Sequence, residues 1–222
     1  MLPFTRAQFV QVLTDYNLDV WPLQILAYLL GIGMMLLLFR PSLSRDRLIG
    51  AGLAAMWVWT GIAYHGLYLS AINPVSVVFG ALFALQGVLI LHEAVLRGRL
   101  RFGASDELSS WLGGAFVIYA AILYPVIGFL TAQSYLEMPM FGITPCPLTI
   151  FTFGMLLLTR DTVSRSLLVI PLGWSLVGGS AAFLLDMPQD WPLLASGLAI
   201  LLIRTRIAHR LFSSEHFFWR SI

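Results

Sequence analysis

Apolar residues dominate seven stretches of the chain, and short segments rich in arginine, proline, glycine or asparagine separate them. A helix that crosses the hydrocarbon core of a bilayer needs about 20 predominantly apolar residues. The pattern therefore predicts an all-α membrane protein, a bundle of seven transmembrane helices. The predicted spans are residues 20–39, 48–72, 74–96, 109–132, 145–159, 167–185 and 191–207.

The two ends of the chain are predicted to lie at the membrane surface. Residues 1–16 place four apolar or aromatic side chains near one helical face, which is typical of a short helix lying in the interface: Phe4, Phe9, Val12 and Tyr16. They lack the charged start, clean apolar run and small-residue cleavage site of a signal peptide. Residues 208–222 mix aromatic side chains with arginine and are predicted to form a cytoplasmic tail. Because no linker is long enough to separate domains, residues 1–222 are predicted to form a single transmembrane domain.

Composition supports a lipid environment. The chain is 59% hydrophobic and 11% charged, with a mean hydropathy of +0.85, whereas a soluble domain carries roughly 25% charged residues. The single cysteine excludes an intrachain disulfide. All 13 basic residues other than histidine are arginine, so Schiff-base chemistry on a lysine, including that of the usual retinal pigments, is excluded.

The arginines predict the orientation. Twelve of the 13 fall on one side of the seven predicted spans, and only Arg6 falls on the other. Because basic residues near membrane helices stay in the cytoplasm, the N-terminus is predicted outside and the C-terminus in the cytoplasm. The predicted outer face also carries five acidic residues, Asp15, Asp19, Glu137, Asp186 and Asp190.

Polar side chains within the predicted spans are the first candidates for a binding site, because they cost free energy in lipid unless they find partners. Most of them fall in the predicted outer half, which predicts a cavity open to the outside. The predicted ligand-binding residues in these spans and turns are Gln24, His65, Tyr68, Asn73 and Gln86. Interhelical hydrogen bonds, worth about 0.6 kcal/mol each on average, are the alternative explanation.

The segment "EMPMFGITPCPLTIF" at residues 137–151 adds two more candidates. The fifth span has only 15 residues, roughly 22 Å of helix, against a hydrocarbon core of about 30 Å. Residues 137–144 are therefore predicted to dip inward, with Thr144 as N-cap and Pro145 as the first helical residue. The helix start would favour an anion or a thiolate, so Thr144 and Cys146 join the predicted ligand-binding residues. We expect Cys146 to be reachable from outside by a small charged thiol reagent.

Other chemistry receives less support from the sequence. Met138, Met140 and Cys146, with His65, could offer soft ligands to Cu(I), but their spacing matches no metal motif, and methionine commonly fills apolar gaps. No metal site and no cofactor are predicted. Protease, kinase, nucleotide and haem signatures are absent from the sequence. The short arginine clusters are explained by topology, so no nucleic-acid partner is expected.

Four short motifs resemble those of a known family. "YNLDVWPLQ", "AINP", "FALQ" and "MFGITPCPLTIFTFG" resemble a family of bacterial multi-pass membrane proteins known only as a domain of unknown function. The resemblance covers approximately residues 16–201 and rests most of all on the "PCP" segment. It implies a bacterial inner-membrane location and supplies neither an activity nor site residues.

The leading functional hypothesis is a small transporter or permease-like protein with an outward-facing site for a small solute or ion. The alternatives are an integral-membrane enzyme that uses Cys146 as nucleophile with His65 as base, or an accessory membrane subunit without a ligand of its own. The expected partners are the lipid bilayer and a small solute or ion, and a homo-oligomer stays open. The sequence does not decide whether the protein is an enzyme.

Overall fold

The computed structural model describes residues 3–40, 42–104, 106–131 and 134–203. These residues form helices and, apart from one isolated β-bridge, no strand, which confirms the all-α prediction. The tail predicted for residues 208–222 lies outside the described residues. The helices are α1 (Arg6–Asp19), α2 (Leu23–Leu37), α3 (Leu43–Ala71), α4 (Ser76–Leu96), α5 (Glu107–Thr131), α6 (Pro145–Leu157), α7 (Ser166–Leu184) and α8 (Pro188–Ile203).

Helices α2 to α8 occur where the sequence predicts seven apolar stretches, but their lengths differ. Within the described residues, α3, α4, α5 and α7 are long and apolar enough to cross a membrane. Helices α1 and α2 meet at a bend of 82° and together make a fifth candidate. Helix α6 and the described part of α8 are shorter apolar helices. The described chain therefore contains four or five candidate spans.

Helix α6 lies at the centre of the bundle. All 13 of its residues are buried, and at 1.5 Å per residue it is roughly 20 Å long. It approaches α5 closely: a Cβ atom added to Gly113 would lie 2.9 Å from the carbonyl oxygen of Gly154. Such glycine contacts are typical of helix packing in membranes. The surrounding helices expose large apolar side chains, among them Leu29, Trp111 and Phe129, as expected of a surface that contacts lipid.

π-Helical turns interrupt α3 and α5 close to polar residues. The stretch Thr60–Tyr68 in α3 contains His65, and the stretch Tyr119–Leu123 in α5 precedes Tyr124. Pro125 accounts for the second stretch, because proline has no N–H to continue the α-helical pattern. The N–H of Tyr124 instead reaches back to the carbonyl at the start of that turn. Turns of this kind are frequent at functional sites.

A buried ion pair connects several loops at one end of the bundle. Arg45 and Asp46, near the start of α3, are 3% and 5% exposed and form a hydrogen-bonded salt bridge. Arg45 also donates to the carbonyls of Leu38 and Phe102. Phe102 completes the arrangement through an N–H bond to Asp46 and a β-bridge to Thr159. The loops that follow α2, α4 and α6 therefore meet at this end.

Helix α1 lies across the other end, which we call the α1 end. Tyr16 and Asn17 donate side-chain hydrogen bonds to backbone carbonyls of the α5–α6 connection. Arg6 donates to the carbonyl of Leu185, where α7 ends. The short N-terminal helix that the sequence predicts is therefore present, and it covers the turns at this end.

Candidate functional site

The α5–α6 connection reaches the core through residues 138–144, which are buried along their whole length. Hydrogen bonds from α1 satisfy part of this backbone: Asn17 Nδ2 lies 2.9 Å from the Met138 oxygen and the Tyr16 hydroxyl 2.7 Å from the Ile143 oxygen. Gly142 has φ +74°, a left-handed conformation that glycine adopts without a steric cost. The irregular, buried segment predicted ahead of a short helix is therefore present.

The start of α6 agrees with its predicted position but not with all of its predicted chemistry. Thr144 is the N-cap and Pro145 the first helical residue. The Thr144 hydroxyl, however, donates to the Met140 carbonyl instead of accepting from the helix. Of the first three helical residues, Pro145 and Pro147 have no N–H, so Cys146 alone offers a free N–H by position. The anion site at this helix start is therefore weaker than the sequence suggested.

Cys146 is 9% exposed and lies in the central apolar cluster of the bundle. Its thiol lies against the carboxyl group of Asp190 and near the indole of Trp174. This position argues against the predicted access from outside. The physical reason is that α6 is surrounded on all sides, so its first turn ends in packed protein and not in water.

Asp190 is the acidic group of the site. It lies in the 3-10 turn Pro188–Asp190 that opens α8, ahead of the apolar part of that helix, and is 4% exposed. The Tyr124 hydroxyl donates to its carboxylate. Among the described residues no basic side chain forms an ion pair with it. Burial raises the pKa of Asp190 to about 7, although hydrogen bonds from Tyr124 and Cys146 act in the opposite direction.

A polar cavity of about 680 Å³ lies at the α1 end, and its wall includes Gln189, the chain neighbour of Asp190. We call it the α1 cavity. It is lined by Arg6, Ala7, Val10, Gln11, Thr14, Thr131, Glu137, Asp186, Met187 and Gln189. Gln189 is 1% exposed, and its Oε1 atom has no hydrogen-bond partner among the described residues. The Tyr119 hydroxyl donates to the Gln189 carbonyl at 2.9 Å. Gln189 therefore connects the cavity wall to the buried carboxyl next to it in the chain.

His65 is completely buried, and its tautomer follows from its hydrogen bond with Ser76. The Ser76 hydroxyl donates to the His65 carbonyl at 3.0 Å, so its oxygen must accept at 3.1 Å from Nδ1, which carries the proton. Nε2 is then a bare acceptor, and it has no partner among the described residues. The His65 ring lies 5.0 Å, centroid to centroid, from that of Trp174, whose indole also lies near the Cys146 thiol. His65 in α3 and Cys146 in α6 thus both contact the Trp174 side chain of α7.

The remaining predicted ligand-binding residues are spread over the molecule. Gln24 donates to the Asn17 carbonyl at 2.8 Å, beneath α1. Gln86 donates to the Leu167 carbonyl at 2.9 Å, near the start of α7 and away from the α1 end. The structure thus brings Thr144, Cys146 and His65 near the core, and Gln86 lies apart.

Tyr68 and Asn73 lie at the α1 end, outside the core. The Tyr68 hydroxyl donates to Asp19 at 2.9 Å, and the Asn73 side chain accepts from the Val75 N–H at 3.2 Å within a turn. Tyr68 also lines a second cavity of about 560 Å³, which is mostly apolar and opens beside α2. Neither residue borders the α1 cavity.

The sulfur atoms do not gather into one site. Met138 and Met140 belong to the apolar cluster beneath α1, whereas Cys146 belongs to the central cluster. Within the described ranges, no group of three or more His, Cys, Asp or Glu side chains is placed to hold a metal ion. Packing is therefore the better explanation of the two methionines.

Sequence reasoning missed Asp190, Gln189 and Trp174 as members of the site. Asp190 was grouped with the acids of the outer loops because it stands in a turn between two apolar stretches. The available signal was its position directly before "WPL", where a helix starts. An acid at that position can turn back towards the preceding helices instead of towards water, but only the packing of α5 and α6 shows that it does.

Comparison with known proteins identifies the family of the chain. Neither curated proteins nor solved structures match the chain. The sequence pattern of a family of unknown function, DUF6064, matches residues 6–213, which is nearly the whole chain and includes every residue of the site described above. The expected membership of a family of unknown function is thereby confirmed, and the chain belongs to the DUF6064 family.

Proposed function

We propose that the protein is a small transporter or permease-like membrane protein that takes up a small polar solute or ion at the α1 cavity. The observation that carries this proposal is the contact between cavity and core: Gln189 lines the cavity, and Asp190 beside it is buried against Tyr124 and Cys146. A volume of about 680 Å³ falls in the range of small-molecule sites. Buried ionisable residues in membrane helices commonly mark solute or proton pathways.

The proposed topology has seven spans, with the N-terminus outside and the C-terminus in the cytoplasm of a bacterium. Two features support it. The loops after α2, α4 and α6 meet at the Arg45–Asp46 end, whereas α1, the α5–α6 connection and the α7–α8 turn meet at the α1 end. This alternation is what helices that each cross the bilayer once would produce. The arginine-rich loops then face the cytoplasm, and the α1 cavity faces outwards.

The short helix α6 fits a transporter better than a simple bundle would. In several transporter folds, discontinuous helices end near the middle of the membrane and their ends form the substrate site. Irregular backbone at that depth is tolerated only where protein or a cavity surrounds it, and residues 138–144 meet that condition. Thr144 and Cys146 would then lie on the inner side of the proposed route, with His65 behind them.

The direct test is a search for a bound solute. We expect protein purified in lipid nanodiscs to retain a small polar molecule in native mass spectrometry, or to be stabilised against heating by one member of a panel of sugars, amino acids, carboxylic acids and inorganic ions. The variants Arg6→Gln and Gln189→Ala should weaken that binding. Arg101→Gln, an exposed residue at the opposite end, is the control that should not.

Uptake of the identified solute into proteoliposomes would then establish transport. A protein that binds none of the panel and carries nothing through purification would contradict the proposal and favour the accessory-subunit hypothesis. Binding followed by chemical conversion of the solute would favour an enzyme. The described contacts do not favour the Cys146–His65 pair, because the polar neighbour of His65 is Ser76 and that of the thiol is Asp190.

A further inference from the structure

We propose that Asp190 is a proton-binding site that exchanges its proton with the α1 cavity. Proton binding can be measured without any solute, so it can be tested independently of transport. Only the coupling of this proton to solute movement rests on the proposed function.

The first argument is the absence of a counter-charge in the described surroundings. The carboxyl accepts from the Tyr124 hydroxyl and contacts the Cys146 thiol, and both of these donors are neutral. A buried carboxylate without a cation is costly in a medium of low dielectric constant. Uptake of a proton removes that cost and leaves the hydrogen bonds in place, with the carboxyl group as donor or acceptor.

The second argument comes from the other ionisable groups around Asp190. The groups that face it are Tyr119 and Tyr124 from α5, Cys146 from α6 and Tyr64 from α3. On the cavity side the charged residues are Arg6, Glu137 and Asp186. The one cation among these, Arg6, directs its Nε–H to the Leu185 carbonyl. No described group is therefore placed to replace the proton as the partner of this carboxylate.

The third argument is a route for the proton. Gln189 is the neighbour of Asp190 in the chain and part of the wall of the α1 cavity. Its buried Oε1 atom has no partner among the described residues. Because this atom is buried, water from the cavity reaches it only when the Gln189 side chain moves, and the water then has a hydrogen-bond partner one residue from the carboxyl. Burial raises the pKa of Asp190 to about 7, so a proton bound there would exchange under ordinary cellular conditions.

Infrared difference spectroscopy of the full-length protein in nanodiscs tests proton binding directly. We expect the carbonyl band of a protonated carboxyl group to appear as the pH falls through a midpoint near 7. Asp190→Asn should abolish that band. Asp186→Asn is the matched control: it makes the same chemical change in the same turn but at an exposed residue with φ 52°, a conformation that asparagine tolerates. This control should keep the band.

The result that would overturn the proposal is a band that survives in Asp190→Asn, or the lack of any buried carboxyl group that titrates between about pH 5 and pH 9. Should Asp190→Asn fail to fold, Tyr124→Phe gives a second answer. It removes a hydroxyl that stabilises the carboxylate, so the midpoint should rise by about one pH unit. A midpoint that does not move in Tyr124→Phe would also contradict the assignment.

The pH dependence of thermal stability gives an independent test, and the direction of the change follows from the pKa of Asp190. The folded-state pKa lies above the ordinary value of 3.8, so between those two values the folded protein binds the proton and the unfolded chain does not. The contribution of this group to stability is therefore complete below about pH 4 and is lost as the pH rises to about 7. The Tm of the wild type should fall over this range relative to that of Asp190→Asn, and parallel curves would contradict the proposal.

These outcomes separate the two proposals. A titrating Asp190 in a protein that binds and moves no solute would leave the proton site intact and refute transport. A solute carried equally well by the wild type and Asp190→Asn, with no band that titrates, would support transport and refute the proton site.

Discussion

Cys146 illustrates how two opposing influences act on a single residue. The start of a helix offers positive potential to a thiol, and the sequence alone made this the expected influence. The structure opposes it, because two prolines remove most of the free N–H groups and the thiol is packed against Asp190 in the core. The thiol is therefore surrounded by packed protein and not by the free N–H groups of an open helix start.

This placement predicts that Cys146 resists charged thiol reagents. In intact membranes we expect no labelling by a membrane-impermeant maleimide or methanethiosulfonate, and rapid labelling after denaturation in detergent. Thr14→Cys, built in a Cys146→Ser background, is the positive control because Thr14 lines the α1 cavity. Fast labelling of native Cys146, with a rate equal to that of the control, would show that water reaches the first turn of α6.

The Arg45–Asp46 pair provides a second prediction at the level of single residues. Removal of one partner of a buried ion pair leaves an uncompensated charge and costs about 3–5 kcal/mol. We therefore expect Asp46→Ala to lower the stability of the purified protein strongly, as measured by thermal unfolding. Arg101→Ala disrupts an exposed pair with Asp161, at 3.7 Å, and should change stability by about 1 kcal/mol or less. Equal effects of the two variants would contradict the structural role given to Asp46.

At the scale of helices, the contact of α5 with α6 depends on the absence of a side chain. A Cβ atom at Gly113 would lie 2.9 Å from the Gly154 oxygen and 3.1 Å from the Leu157 Cβ atom. Gly114, the next residue, faces open space, with nothing within 4 Å of an added Cβ atom. The two positions thus differ in packing although they are adjacent in the same helix.

Gly113→Ala and Gly114→Ala consequently form a matched pair. We expect Gly113→Ala to force the helices apart and destabilise the protein by about 1–3 kcal/mol, since backbone atoms cannot move aside as side chains do. Gly114→Ala should be neutral or stabilising by up to about 1 kcal/mol, because alanine favours the helix more than glycine does. Thermal unfolding of both variants under identical conditions measures the difference. A larger loss for Gly114→Ala would contradict the packing of α5 against α6.

The sequence predicted individual helices better than it predicted their contacts. Hydrophobic runs and proline positions located α2 to α8 and the start of α6 at Pro145, because these depend on local composition. Local composition did not predict the partners of the polar side chains. Gln86 bonds to a carbonyl 81 residues further along the chain and Tyr124 to an acid 66 residues further along. Such pairs depend on how the helices pack, which no local pattern specifies.

At the scale of the whole molecule, the distribution of charge and the distribution of loops give the same division into two ends. The cavity and α1 lie at the end where the sequence places five acidic residues and one arginine. The Arg45–Asp46 pair lies at the end that contains the arginine-rich loops of the described residues. In the proposed orientation, the acidic outer face would attract cations to the mouth of the α1 cavity, to an extent that salt reduces.

This division predicts that exposed residues at the two ends label from opposite sides of the membrane. In a Cys146→Ser background, Gln11→Cys should react with an impermeant maleimide added to intact cells or spheroplasts. Asp161→Cys should react only after the membrane is permeabilised, because it lies in the loop after α6, at the arginine-rich end. Both positions are exposed, so a difference in labelling reports the side and not burial. Labelling of both from one side would contradict the seven-span arrangement, and reversed labelling would place the α1 cavity and Asp190 towards the cytoplasm, where the same proton site would serve export instead of uptake.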